Sequence, residues 1–164
     1  MFVRVQKEDF SLKLVEERFS EYTKLQGAKI GAIVTFTGLV REFQHTSEDQ
    51  EEVQALILEH YPGMTESVLE QIAQTAIKKW QLNDMLIIHR VGTLFPTDNI
   101  VLVAAASAHR QDAFDACQYA MDILKTSAPF WKKEQTNKGE RWVDAKSSDY
   151  NAAGQWITQD LQEN

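Results

Sequence analysis

"NIVLVAAAS", Asn99 to Ser107, is an unbroken apolar run of strand length closed by a polar residue at each end. It is followed at once by "AHRQDAFDAC", so a buried strand is expected to pass directly into a helix. That helix is predicted from about His109 to Lys125, with Ala113, Phe114, Cys117, Met121 and Leu124 on its apolar side. Upstream, "DMLIIHRVG" (Asp84 to Gly92) has the same buried character, with Pro96 in the connection. "GAIVTFTGLV" (Gly31 to Val40) and "VQALILEHY" (Val53 to Tyr61) supply two more strands, the second stopped by Pro62-Gly63. Leu12, Val15, Phe19 and Tyr22 keep helical spacing after Asp9 or Ser11, and Met64, Val68, Ile72, Ala76 and Trp80 share a second helical face. After Pro129, "FWKKEQ" and "ERWVDA" flank "TNKG", a hairpin pattern with Gly139 available for a positive φ. The tail from Tyr150 reads as an amphipathic helix carrying Trp156. Strands with intervening helices and a terminal hairpin predict one α+β domain over residues 1–164. Its short strands leave edges that a partner or a second copy can cover.

Bulk composition narrows the function. A net charge of −7 argues against a general nucleic-acid binder, which needs a basic field. No apolar stretch approaches the roughly eighteen residues of a membrane span, and "MFVRVQKEDF" lacks the apolar run of a signal peptide, so a cytoplasmic protein is expected. The single cysteine, Cys117, excludes an internal disulfide and a Cys-rich metal cluster. Charge is unevenly spread. "EFQHTSEDQEE" (Glu42 to Glu52) holds five acids and no Lys or Arg, which reads as a polar loop. Between His109 and Lys146 there are seven bases (Arg110, Lys125, Lys132, Lys133, Lys138, Arg141, Lys146) against six acids, so that window is +1 and the remainder −8. A basic island in an acidic chain suits a small anionic ligand, or else a mixed solvated surface.

Elimination shapes the chemistry. The sequence has no G-x-S-x-G, H-E-x-x-H, CxxC, Walker A or G-x-G-x-x-G, and His45, His60, His89 and His109 lack metal-ligand spacing. Cys117, on an apolar helix face, reads as a structural thiol. Lysine and arginine chemistry remain. Lys125 stands at a helix C-terminus, where the macrodipole alone accounts for a cation. A nucleophilic lysine instead requires burial or neighbouring cations, which Arg110, Lys132 and Lys133 would supply if the hairpin folded back over the helix. Pro129 makes a sharp return feasible. "SAHR" (Ser107 to Arg110), at a strand-to-helix junction, has the makings of an anion site, with Ser107 as cap and His109 as either acid–base group or plain polar residue. Arg41, ending a strand, and the His89-Arg90 pair are further cationic candidates. Phe130 and Trp131 are core residues or a flat face for a ring.

Five blocks in order carry a resemblance: "VTFTGLVR" (Val34 to Arg41), "LEHYPGM" (Leu58 to Met64), "HRVGTLFPTD" (His89 to Asp98), "SAHRQDAFDAC" (Ser107 to Cys117) and "LKTSAPFWKKE" (Leu124 to Glu134). Together they resemble the large, catalytic subunit of molybdopterin synthase, most strongly over residues 30–146. The resemblance implies an α+β fold of the hammerhead type, a mainly antiparallel sheet with flanking helices and a C-terminal β-hairpin subdomain. It implies a sulfurtransferase of molybdenum-cofactor biosynthesis that needs no cofactor and no metal of its own. Sulfur would come from the thiocarboxylated C-terminus of a small ubiquitin-like subunit and pass to cyclic pyranopterin monophosphate, a phosphorylated pterin. The implied assembly is a heterotetramer, with a homodimer of large subunits at its core. Lys125 would lie beside the partner's C-terminus and Lys132 would be the second functional lysine. Leu39, Val40, Arg41, His109, Arg110, Lys133 and Glu134 would contact substrate, with Arg141 or Lys146 a further phosphate contact across the dimer. The acidic segment after Arg41 is longer than the turn usual in that family. The alternatives are a non-catalytic scaffold for an anionic ligand or partner tail, and a Schiff-base lyase using Lys125.

Overall fold

The computed structural model describes residues 1–44, 51–144 and 146–162. Residues 45–50, the middle of the expected acidic loop with His45, lie outside the described residues. In chain order the elements are β1 (Phe2–Gln6), α1 (Lys13–Gln26), β2 (Ala32–Leu39), β3 (Phe43–Gln44), β4 (Glu51–His60) and α2 (Met64–Lys79). There follow β5 (Asp84–Arg90), β6 (Gly92–Leu94), β7 (Asn99–Ser107), α3 (Arg110–Ser127), β8 (Phe130–Thr136), β9 (Gly139–Val143) and α4 (Ser147–Gln162).

The first sheet has the order β1-β5-β7-β2, with β1 parallel to β5 and the other pairings antiparallel. Strand β7 explains the continuous apolar run, because both of its faces are covered. Val101, Val103 and Ala105 join Met85 and Ile87 against α2 and α3, while Leu102, Ala104 and Ala106 join Leu86 and Ile88 against Phe10 and α1 residues Val15 and Phe19. The period of two thus delivers one strand to two cores. Strand β1 is an addition to the sequence reading: its Val3 and Val5 pack on the α2–α3 side and Phe2 on the α1 side. Two helix faces also differ from the reading. Met64 and Phe114 are both exposed. The buried stripe of α2 runs through Thr65, Leu69, Ile72, Ala73 and Ala76, and that of α3 through Ala113, Ala116, Cys117, Ala120, Met121 and Leu124. Helix α4 docks on α3 through Trp156, whose indole meets Trp80 and Tyr119 edge-on and donates to Asp122 at 2.9 Å.

The second sheet is built on β4. The hairpin β8–β9 pairs along one side, and β3 and β6 take different stretches of the other. The hairpin therefore extends this sheet, with Gly139 at φ 129 in the turn. "DMLIIHRVG" divides at Val91: Gly92, at φ 89, turns the chain out of β5 and into β6, one sheet to the other. Across this junction His89 of β5 stacks on Phe130 of β8, ring centroids 3.9 Å apart and 20° from parallel. Arg90 is consumed by the fold, its Nε donating to the Lys7 carbonyl and its terminal nitrogen to the Asn99 carbonyl and Asp9.

Burial pushes the His89 imidazole down to about 4 from an ordinary 6.5. Between those values the unfolded chain binds a proton that the folded chain refuses, so stability present above pH 6.5 is lost as pH falls toward 4. The full span is worth about 3 kcal/mol. Urea denaturation across that range should show wild type losing that much more stability than His89→Phe.

Candidate functional site

Ladder register decides which hairpin side chains face inward. Lys132 stands opposite Leu58 and Glu134 opposite Leu56, so both share the sheet face of those leucines, while Trp131 and Lys133 occupy the other. On the inner face Leu56, Leu58 and Leu94 cluster with Val40. The strand end Leu39–Arg41 is thereby set beside the face that carries Lys132. Glu134 is buried, only 1% exposed, yet its carboxylate is answered on two sides. Arg141, its cross-strand neighbour, donates from Nε at 3.2 Å and from a terminal nitrogen at 3.0 Å, and Lys132 Nζ lies at 3.4 Å. Glu134 thus holds Lys132 from within. Lys133, on the outer face, pairs with Glu140 and lies over the Trp142 ring.

Lys125 ends the last turns of α3, half exposed, with Nζ 3.2 Å from Asp149 Oδ1. Asp149 is itself fixed: its Oδ2 accepts the Lys146 amide and so caps the start of α4. Arg110, expected among the cations around Lys125, does not reach it within one chain. Arg110 opens α3 and Lys125 closes it, so they lie about 22 Å apart along the axis. Between Lys125 and Lys132 runs one corner. There Ala128 N–H donates to Leu124 O, Phe130 N–H to Ala128 O, and the Pro129 carbonyl accepts from the Thr65 hydroxyl at 3.2 Å.

His109 and Arg110, both exposed, sit at the other end of α3. They border a depression of about 400 Å³ together with Gly31, Ala108 and Gln111. Gly31 donates to the Ser107 carbonyl, and a Cβ on it would collide with the Ala108 carbonyl oxygen, so only glycine permits this approach. Ser107 does not cap as expected. Its buried hydroxyl accepts the His109 amide at 3.3 Å, and His109 is the helix N-cap without a side-chain cap bond. Cys117 donates weakly to the Val103 carbonyl, and burial pushes its thiol up to about 11, so it is no nucleophile at neutral pH.

Leu39–Arg41 leaves the first sheet through a bulge at Gly38–Leu39. It is then gripped by the β6–β7 turn: Val40 N–H donates to Asp98 O and Thr97 N–H to Val40 O, each 2.9 Å. Leu39 is exposed, Val40 buried and Arg41 exposed. Thr97 adopts φ 76, a strained choice for a β-branched residue. Sequence reading missed this support because "FPTD" holds no glycine to announce a positive φ. It missed Thr65 and Asp149 as well, since neither has a local signal of its distant partner. Thr97→Gly should relieve the strain and stabilise the fold by about 1 kcal/mol, read as a rise in thermal midpoint with Arg41 undisturbed.

The fold defines an α+β protein with cationic side chains at both ends of α3 and on the β8–β9 hairpin, and comparison with known proteins narrows the class. Residues 5–127 match the family model described as MoaE protein. A relative from Vibrio cholerae named molybdopterin synthase catalytic subunit is 48% identical over 155 residues, covering 94% of this chain and 97% of its own. Among solved structures, a molybdopterin biosynthesis MoaE protein from Burkholderia ambifaria superposes with a TM-score of 0.73 at 46% identity, covering 95% and 98% of the two chains. Molybdopterin synthase from Staphylococcus aureus gives a TM-score of 0.73 at 34% identity, covering 85% and 94%. This chain belongs to the MoaE family.

Proposed function

We propose that this chain is the catalytic subunit of a molybdopterin synthase, a sulfurtransferase of molybdenum-cofactor biosynthesis. It would move sulfur from the thiocarboxylated C-terminus of a small ubiquitin-like subunit to cyclic pyranopterin monophosphate. Each delivery leaves the carrier tail as a carboxylate, so sulfur is exchanged for oxygen and no redox partner is needed. The observation that carries the reading is the placement of two amines on either side of one tied corner, with Lys132 on the face bordered by Val40–Arg41. Lys125 would stabilise negative charge as the tail's acyl carbon becomes tetrahedral, and Lys132 and Arg41 would hold the phosphorylated pterin. Leu39 would border the pterin and the buried Glu134 would act by holding Lys132, while Lys133 stays on the opposite sheet face with Glu140.

His109 and Arg110 enter this site only from a second copy. Gly31 and Ala108 mark one end of β2 and Leu39–Arg41 the other, about 30 Å apart. Strand β2 is also an outer strand of its sheet. A two-fold partner laid against it sets Arg110 of one protomer beside Arg41 of the other, which supports a homodimer at the core of a heterotetramer.

The Lys125–Asp149 pair also fits a plainer role, tethering α4 in a scaffold without turnover. The two readings part on Lys125→Ala. Loss of an exposed pair costs at most about 1 kcal/mol, so the variant should fold, and the enzyme reading requires dithiolene formation from thiocarboxylated small subunit and pterin precursor to collapse. Undiminished product would overturn it. Mixing Lys125→Ala with Arg110→Ala chains should rebuild one intact site per mixed dimer, about a quarter of wild-type activity after subunit exchange. A mixture as inactive as its components would place both residues in one chain's site.

A further inference from the structure

The corner between the two lysines is supported from behind by two buried side chains that the proposed chemistry does not touch. Thr65, fully buried at the start of α2, accepts the Tyr61 amide at 3.1 Å and donates to the Pro129 carbonyl at 3.2 Å. Its single hydroxyl joins the end of β4 to the start of β8, closing the ladder where His60 pairs with Phe130. His89, only 6% exposed, comes from the other sheet and lies flat on Phe130. Its Nδ1 is 2.8 Å from the Arg90 carbonyl, an acceptor only, so Nδ1 carries the proton and the ring plane is locked. The corner's own backbone adds the Ala128 to Leu124 and Phe130 to Ala128 bonds. An isolated threonine hydroxyl or a stacked imidazole is ordinary core furniture. Both converging on Pro129 and Phe130, two adjacent residues of the six that separate Lys125 from Lys132, is a more specific arrangement.

We propose that Thr65 and His89 are positioning residues for sulfur transfer: they fix the Pro129–Phe130 corner, and through it the spacing between the Lys125 and Lys132 amines. The proposal rests on the catalytic reading above. Neither residue touches substrate; each acts through the corner. A reacting group displaced by about 1 Å can lose a hundred-fold in rate, so a slackened corner harms the transfer step while leaving the docking surface in place.

The test uses the full chain assembled with thiocarboxylated small subunit and pterin precursor. Thr65→Val keeps the shape and removes the hydroxyl, Thr65→Ser restores it, and His89→Leu removes the stacking ring. The single-turnover transfer rate should fall at least about ten-fold in Thr65→Val and His89→Leu, with affinity for the small subunit within about two-fold. Thr65→Ser should recover most of the rate. Amide hydrogen exchange gives a readout independent of turnover: protection should drop at Phe130–Lys132 and persist at Gln135–Thr136. Wild-type rates in both variants, or protection lost uniformly along β8, would overturn the proposal. If wild type itself makes no product, the catalytic reading fails on its own, and the exchange pattern still decides whether these two residues hold the corner.

Discussion

Burial of β7 on both faces is the constraint from which the rest of the molecule follows. A strand with Val101, Val103 and Ala105 on one side and Leu102, Ala104 and Ala106 on the other must be covered twice. The cover is supplied by α1 on one side and by α2 and α3 on the other. The run of alanines is as necessary as the larger residues, since Ala104, Ala105 and Ala106 are completely buried. Because α3 begins three residues after β7 ends, the strand also sets where Arg110 stands and where, a helix length later, Lys125 emerges.

The second sheet solves a different problem, which is to hold cations steady in an acidic protein. Its device is a buried carboxylate. Glu134 has left water, a costly act that Arg141 and Lys132 help to offset. Such a group contributes orientation more than stability. The same logic, in weaker exposed form, applies at Asp149, where one carboxylate caps α4 and holds Lys125. The basic island is therefore largely a set of ion pairs, and its effect on a ligand depends on geometry more than on net charge.

Much of the fold was legible in the sequence wherever burial was uniform. β7 runs over the same residues as the apolar stretch, and α3 and the hairpin lie within a few residues of their patterns. The family blocks pointed to the residues from which the proposed site is built. Distance in the chain limited the remainder. "FVRVQ" alternates as a strand should, but it pairs with β5 some eighty residues on, and no local pattern names that partner. The apolar side of α3 is as expected at Ala113, Cys117, Met121 and Leu124 and differs at Phe114, an aromatic side chain whose burial the packing does not provide. The helix predicted from His109 to Lys125 already set Arg110 and Lys125 at opposite ends, so Arg110 could reach Lys125 only from outside the same chain. The supports at Thr65, Thr97 and Asp149 are single polar residues whose meaning exists only in three dimensions.

The four tryptophans fall into two optical environments. Trp131 and Trp142 stand exposed on the lysine hairpin. Trp80 and Trp156 are in ring contact with each other and with Tyr119, where α4 meets the body of the fold. The first pair should emit to the red and be open to aqueous quenchers. The second should emit to the blue, and its ring contacts give the tail helix a fluorescence signal of its own. Without any added dye, the chain can thus report occupancy of the hairpin and docking of α4 as separate spectral events.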